Sequence, residues 1–159
     1  LHSFPTRRSS DLPTDEFVGR KMAAGLSAGL TMILCVGETI EERREGRVSE
    51  VLSRQLRTGL ETARCAASAD RLCVAYEPVW AIGTGEVAGP GEIVEAHAVV
   101  RETLMSLLPE TGTEVRILYG GSVKPENAAG ILRLDNVNGV LVGGASLKAD
   151  SFSRIVLAQ

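Results

Sequence analysis

Residues 72–85 read Leu-Cys-Val-Ala-Tyr-Glu-Pro-Val-Trp-Ala-Ile-Gly-Thr-Gly. The first five form a short, continuous apolar run, the pattern of a strand buried on both faces. The run closes on Glu77, and Pro78 cannot continue a ladder. Pro78 to Gly89, rich in Gly and Pro, therefore reads as a loop. A carboxylate ending an apolar strand is costly to desolvate, and burial raises its pKa toward what a general base needs at neutral pH. Pro78, Val79, Trp80, Ala81, Ile82, Gly83, Thr84 and Gly85 combine a rigid start, a bulky apolar middle and a flexible end. That composition suits a lid hinged at both ends. On residue types alone the plainer alternatives stay open: a salt-bridged strand-end glutamate, and an ordered surface loop with a packed Trp.

Outward from this stretch the same unit recurs. Thr14 is placed to cap a helix with Asp15 and Glu16 in its first turn, Val18, Met22 and Leu26 along one face, and Gly29 just past its end. Thr31–Val36 is a second apolar run, read as a strand and ended by Gly37-Glu38-Thr39. The charged stretch Glu41 to Arg47 reads as a short solvated helix rather than a binding patch. Ser49 is expected to cap a longer helix carrying Val48, Leu52, Leu56 and Leu60. Beyond the central stretch, a helix from Pro90 aligns Ile93, His97, Val100, Leu104 and Leu108, so His97 reads as a packed residue rather than a ligand. Val115–Tyr119 is a strand followed by Gly120-Gly121-Ser122. Pro125 suits the first position of a helix reaching Leu132. Gly139–Val142 is a fourth strand, followed by Gly143-Gly144 and a helix with Phe152, Ile155 and Val156. One helix and then four β-α units imply an α/β fold with a parallel sheet and helices outside it.

The unusual residues all fall at the C-terminal ends of strands: Gly37 and Glu38, Glu77, Gly120 to Ser122, Gly143 and Gly144. In parallel α/β proteins ligands bind along that edge. Backbone N–H groups in glycine turns, with a helix starting just after, can face an oxyanion. Two such turns after consecutive strands, one carrying Ser122, make a phosphate cradle as reasonable a reading as two tight turns.

Composition narrows the function classes. The chain has 159 residues, fitting one domain, with 44% hydrophobic and 23% charged residues. A net charge of −3 leaves no footprint for nucleic acid or an anionic membrane. No apolar run approaches the roughly 18 residues of a membrane span. Cys35, Cys65 and Cys73 are odd in number and lack metal spacing, so they read as reduced thiols, with Cys35 and Cys73 as buried small hydrophobes. Residues 1–12 show neither helical nor strand period and no signal-peptide core. They resemble the in-frame translation of a sequencing adapter, so His2 is assigned no role and the domain is taken as residues 13–159.

Three motifs carry a family resemblance. Residues 75–85 (Ala-Tyr-Glu-Pro-Val-Trp-Ala-Ile-Gly-Thr-Gly) resemble the base-and-lid signature of the triosephosphate isomerases. Residues 119–123 (Tyr-Gly-Gly-Ser-Val) and 141–147 (Leu-Val-Gly-Gly-Ala-Ser-Leu) are similar to two further motifs of that family, in order and at suitable spacing. Residues 14–21 resemble the helix after its fourth strand. The resemblance implies the C-terminal part of a TIM (β/α)8 barrel, strands five to eight with their helices, an incomplete barrel. It implies that Glu77 shuttles a proton between two carbons of a triose phosphate, interconverting dihydroxyacetone phosphate and glyceraldehyde 3-phosphate through an enediolate, a step of glycolysis and gluconeogenesis. Gly83, Ser122, Gly143 and Gly144 would hold the phosphate. Tyr119 and Ser122 would latch the closed lid, and Glu38 would pair with Trp80 in the open one. No metal or organic cofactor is implied. The family implies a cytoplasmic homodimer acting on a small molecule, with no nucleic-acid or membrane partner.

The family's Asn-x-Lys of strand one and His of strand four have no counterpart in these residues, which implies little activity for this chain alone. Two other readings remain on sequence grounds: another phosphate-binding barrel enzyme, and a non-catalytic half-barrel.

Overall fold

The structure is a computed structural model, and it describes residues 13–82 and 87–158. The adapter-like segment 1–12 and Gly83, Thr84 and Gly85, expected to end a lid, lie outside the described residues. The first helix, α1 (Asp15–Ser27), starts at Thr14, whose hydroxyl accepts from Phe17 N–H. It ends in a Schellman turn at Gly29 (φ +85°), where Leu30 N–H reaches Gly25 O and Gly29 N–H reaches Leu26 O. β1 (Met32–Val36), α2 (Ile40–Arg44) and α3 (Val48–Leu60) follow, then β2 (Leu72–Tyr76), α4 (Pro90–Leu107), β3 (Arg116–Tyr119), α5 (Pro125–Leu132), β4 (Gly139–Val140) and α6 (Ala149–Val156).

The four strands lie in the order β1-β2-β3-β4, every pair parallel. Side chains alternate across the sheet. Leu34 and Val36, then Leu72, Val74 and Tyr76, then Ile117 and Tyr119 enter one core with Leu26, Leu52, Leu56, Ile93 and Leu104 of the helices. The intervening residues Ile33, Cys35, Ala75 and Leu118 face the other way and are not part of that core. Sequential strand order with the helices' core on one face is the arrangement of a β/α-barrel wall, not of a sheet covered by helices on both sides.

Four expectations need correction. Cys35 is exposed rather than buried, as is Ile33 at 46%, because that face of β1 opens into a cleft instead of the helix-side core; β2, flanked by strands on both sides, is buried throughout. Ser49 does not cap α3. The position belongs to Arg47, which makes no side-chain cap. Gly46 (φ +71°) ends α2 so abruptly that α3 starts at Val48, leaving Ser49 inside the first turn. The fourth strand is two residues long instead of four, since the chain leaves the ladder after Leu141 N–H bonds Tyr119 O and enters a 3₁₀ turn at Gly144–Leu147. The Pro78–Gly89 loop opens with a 3₁₀ turn, Val79–Ala81.

Leu56 is fully buried where α3 meets the core. Leu56→Ala removes that packing and leaves a cavity, so chemical denaturation should show a loss of about 2–5 kcal/mol.

Candidate active site

The strand period of two sends neighbouring residues to opposite faces at the end of β2. Tyr76 turns into the helix-side core, and Glu77 emerges on the other face. Glu77 N–H extends the ladder by one rung, donating to Val36 O at 2.8 Å. Glycines flank it on both adjoining strand ends. A Cβ at Gly37 would overlap the Glu77 carbonyl, and one at Gly120 would sit 2.5 Å from Glu77 Cγ and 2.8 Å from Oε1. Only residues without a Cβ leave room for the Glu77 main chain beside Gly37 and for its side chain beside Gly120.

Glu77 lines a cleft of about 520 Å³ with Ile33, Cys35, Gln55, Val79 and Ile82. Burial pushes its carboxyl above the usual range, and a hydrogen bond from the Cys35 thiol offsets part of that rise. The thiol is itself pushed up to about 12, first by desolvation and then by the negative charge of Glu77. Cys35 therefore stays a protonated donor to the carboxylate at neutral pH, not a thiolate nucleophile.

A second cluster lies one residue beyond Gly37, on the helix side. Glu38 is fully buried, and three donors converge on its Oε1: Arg43 Nε at 2.8 Å, the Tyr76 hydroxyl at 3.1 Å and the Trp80 indole N–H at 3.0 Å. Arg43 also donates to the Tyr76 oxygen (3.2 Å), lies 5.7 Å from the Trp80 ring centroid and pairs with Glu95 on α4 at 3.3 Å. Desolvation, then the Glu38 charge, pushes the Tyr76 phenol above its normal range, so it remains a hydroxyl donor. The Glu38 backbone takes part too: its carbonyl accepts from Val79 N–H at 3.0 Å. The start of the Pro78–Ile82 segment is thus tied to Glu38 by main chain and side chain.

The turn after β3 meets the same segment from the other side. Ser122 Oγ donates to Ala81 O at 3.0 Å. Asn127 steadies that turn, its Nδ2 donating to Ser122 O at 2.9 Å and its Oδ1 accepting from Lys124 N–H at 2.7 Å. Tyr119 is buried beside Tyr76, their rings 6.3 Å apart. Gly143 and Gly144 are exposed at the end of the neighbouring strand, with open space where a Cβ would stand. His97 is a packed residue: fully buried, edge-on to Tyr76 at 5.8 Å, with Nδ1 3.0 Å from Asn136 O.

The structure thus groups Glu77 with Gly120, Glu38 with Trp80 and Val79, and Ser122 with Ala81. Gly143 and Gly144 stand on the adjoining strand end. Reading the residues alone missed Arg43, Gln55 and Asn127. Arg43 sits in a charge run that looks solvated, yet its side chain is only 12% exposed. The Thr39 to Glu42 spacing of a capping box, which does form, marks where α2 begins and hence that Arg43 lies one turn from Glu38.

Sheet order, helix placement and a polar edge at the strand C-termini define a β/α-barrel protein. The comparisons are specific. The family described as triosephosphate isomerase matches residues 5–159. A triosephosphate isomerase of Nitratidesulfovibrio vulgaris (Miyazaki F) is 66% identical over 91% of this chain and 58% of its own length. That of Oleidesulfovibrio alaskensis is 58% identical over 96% of this chain and 61% of its own. The crystal structure of triosephosphate isomerase from Bartonella henselae superposes with a TM-score of 0.85 at 40% identity, covering 98% of this chain and 62% of that one. The chain belongs to the triosephosphate isomerase family and has its TIM-barrel fold. It spans about three fifths of the length of the relatives it matches.

Because burial raises the folded-state pKa of Glu77, its effect on stability has a definite sign. No penalty applies below the pKa of the unfolded chain, and folding is opposed increasingly as pH rises through the raised folded value. Glu77→Gln should therefore stabilise the chain at pH 7 and lose that advantage on acidification toward pH ~4, as read by thermal melts across pH. A second substitution, Gly120→Ala, should displace the Glu77 side chain and abolish that pH-dependent difference.

Proposed function

We propose that residues 13–159 form strands five to eight of a triosephosphate isomerase barrel, with β1 to β4 in those places. Glu77 is the base, and Pro78 to Ile82 form the first part of the lid. The substrate is a triose phosphate. The observation that carries the reading is the berth of Glu77: a strand-end carboxyl with raised proton affinity, seated between Gly37 and Gly120, facing a cleft closed on one side by Val79 and Ile82. Such a group can take a proton from C1 of dihydroxyacetone phosphate. The electron pair left behind forms the enediolate; a proton passes from the C1 hydroxyl to the C2 oxygen, and return of the carbon-bound proton to C2 yields glyceraldehyde 3-phosphate with nothing else consumed.

Ser122, Gly143 and Gly144 hold the phosphate through N–H groups at two adjacent strand ends. The share assigned to Gly83, Thr84 and Gly85 lies outside the described residues. Trp80 on Glu38 and Ser122 on Ala81 correspond to the lid standing open, with Tyr119 and Ser122 to latch it when it shuts. Charge on the enediolate needs an electrophile opposite the base, which the family pattern assigns to a Lys and a His on strands one and four. Isomerisation is accordingly an activity of the whole barrel, of which this chain supplies the base and most of the phosphate site.

The test is a chimera in which residues 13–159 replace the matching part of the Nitratidesulfovibrio vulgaris enzyme. It should interconvert the two triose phosphates, and Glu77→Gln in it should lower kcat by about 10²–10⁴-fold, the usual worth of a positioned base, with little change in KM. Unchanged kcat removes Glu77 from the role. Residues 13–159 alone should show trace turnover at most; near-native turnover by them contradicts the assignment of the electrophile to the rest of the barrel.

A further inference from the structure

Gln55 was singled out by no motif, yet its side chain makes two hydrogen bonds to one residue. Its Oε1 accepts from Gly37 N–H at 2.9 Å, and its Nε2 donates to Gly37 O at 3.1 Å. Only one orientation of the amide satisfies both. The parallel ladder explains why Gly37 needs a partner. Val36 O and Glu38 O accept from Glu77 and Val79 on the β2 side, so the polar groups of Gly37, between them, point the opposite way. A neighbouring strand would meet them with a peptide unit. Gln55, reaching up from α3, meets them with a carboxamide, which offers the same donor and acceptor.

The groups so held are the support of the lid. Gly37 lies against the Glu77 main chain, where a Cβ would collide. Glu38, the next residue, carries both ties to the lid, to Val79 N–H and to the Trp80 indole. We propose that Gln55 is a positioning residue for the first hinge of the lid: its carboxamide fixes the Gly37 peptide and so sets Glu38 under Val79 and Trp80. This rests on the lid reading above, but its test needs no turnover, so the two can fail separately. α3 buries Leu52, Leu56 and Leu60 independently of Gln55. Losing the carboxamide therefore loosens the hinge while the helix stays packed.

Trp80 is the only tryptophan in the chain, which makes its emission a reporter of that hinge. In the full 159-residue chain, Gln55→Leu should red-shift Trp80 emission and raise its acrylamide quenching constant roughly twofold or more, the far-UV spectrum being unchanged. Gln55→Glu keeps the acceptor for Gly37 N–H and loses the donor, so it should fall between Gln55→Leu and the parent. Ser53→Ala, which breaks a 3.1 Å contact to Thr103 on the same helix, should leave the emission as it is. Parental emission in a folded Gln55→Leu overturns the proposal. So does a shift of equal size in Ser53→Ala, or loss of the folded far-UV spectrum in both Gln55 variants, because either makes Gln55 a general stability residue.

Discussion

The parallel register of β1 against β2 underlies everything else in this molecule. With Val36 opposite Tyr76, the strand period sends Glu38 and Tyr76 to the helix side and Gly37 and Glu77 to the other. A one-residue slip of β2 would exchange the faces of Tyr76 and Glu77, driving Glu77 into the apolar core and leaving Glu38 without Tyr76. The register is held by the core-facing residues Leu34, Val36, Leu72, Val74 and Tyr76, all nearly or fully buried. Hydrophobic burial along the strands therefore positions the two carboxylates at their ends.

The two carboxylates are treated in opposite ways. Glu38 is completely buried, and a charge there is tolerable only because three donors, one a guanidinium, converge on a single oxygen. That arrangement ties down the start of the Pro78–Ile82 segment. Glu77 is partly desolvated and has a weaker donor, the Cys35 thiol. Its proton affinity rises, which suits the proton-shuttling role proposed for it. Similar side chains at neighbouring strand ends thus meet different surroundings, one suited to an anchor and the other to the base proposed above.

Much of the fold was legible along the chain because its signals are local. Apolar runs of strand length, Thr14 and Gly29 at the ends of α1, and Pro90 and Pro125 at the starts of α4 and α5 each act through their immediate neighbours. Where expectation failed, a distant or missing neighbour decided. Cys35 is exposed because its face of β1 opens into the cleft and not into the helix-side core, which its own apolar run does not reveal. Arg43 lies in a stretch whose composition looks solvated, but the ladder carries Tyr76 and Glu38 to its guanidinium.

The sequence by itself determined the order of elements, the placement of Glu77, Glu38 and the glycine turns at strand C-termini, and the resemblance to the family. Each of these depends on residue type and spacing, quantities the chain carries without folding. The tertiary structure decided which of those residues meet. It seated Glu77 between Gly37 and Gly120, joined Glu38 to Trp80, and brought Gln55 from eighteen positions away to complete the hydrogen bonds of Gly37. Such contacts depend on register and on helix placement over the sheet, which hydrophobic burial sets cooperatively and no short stretch encodes.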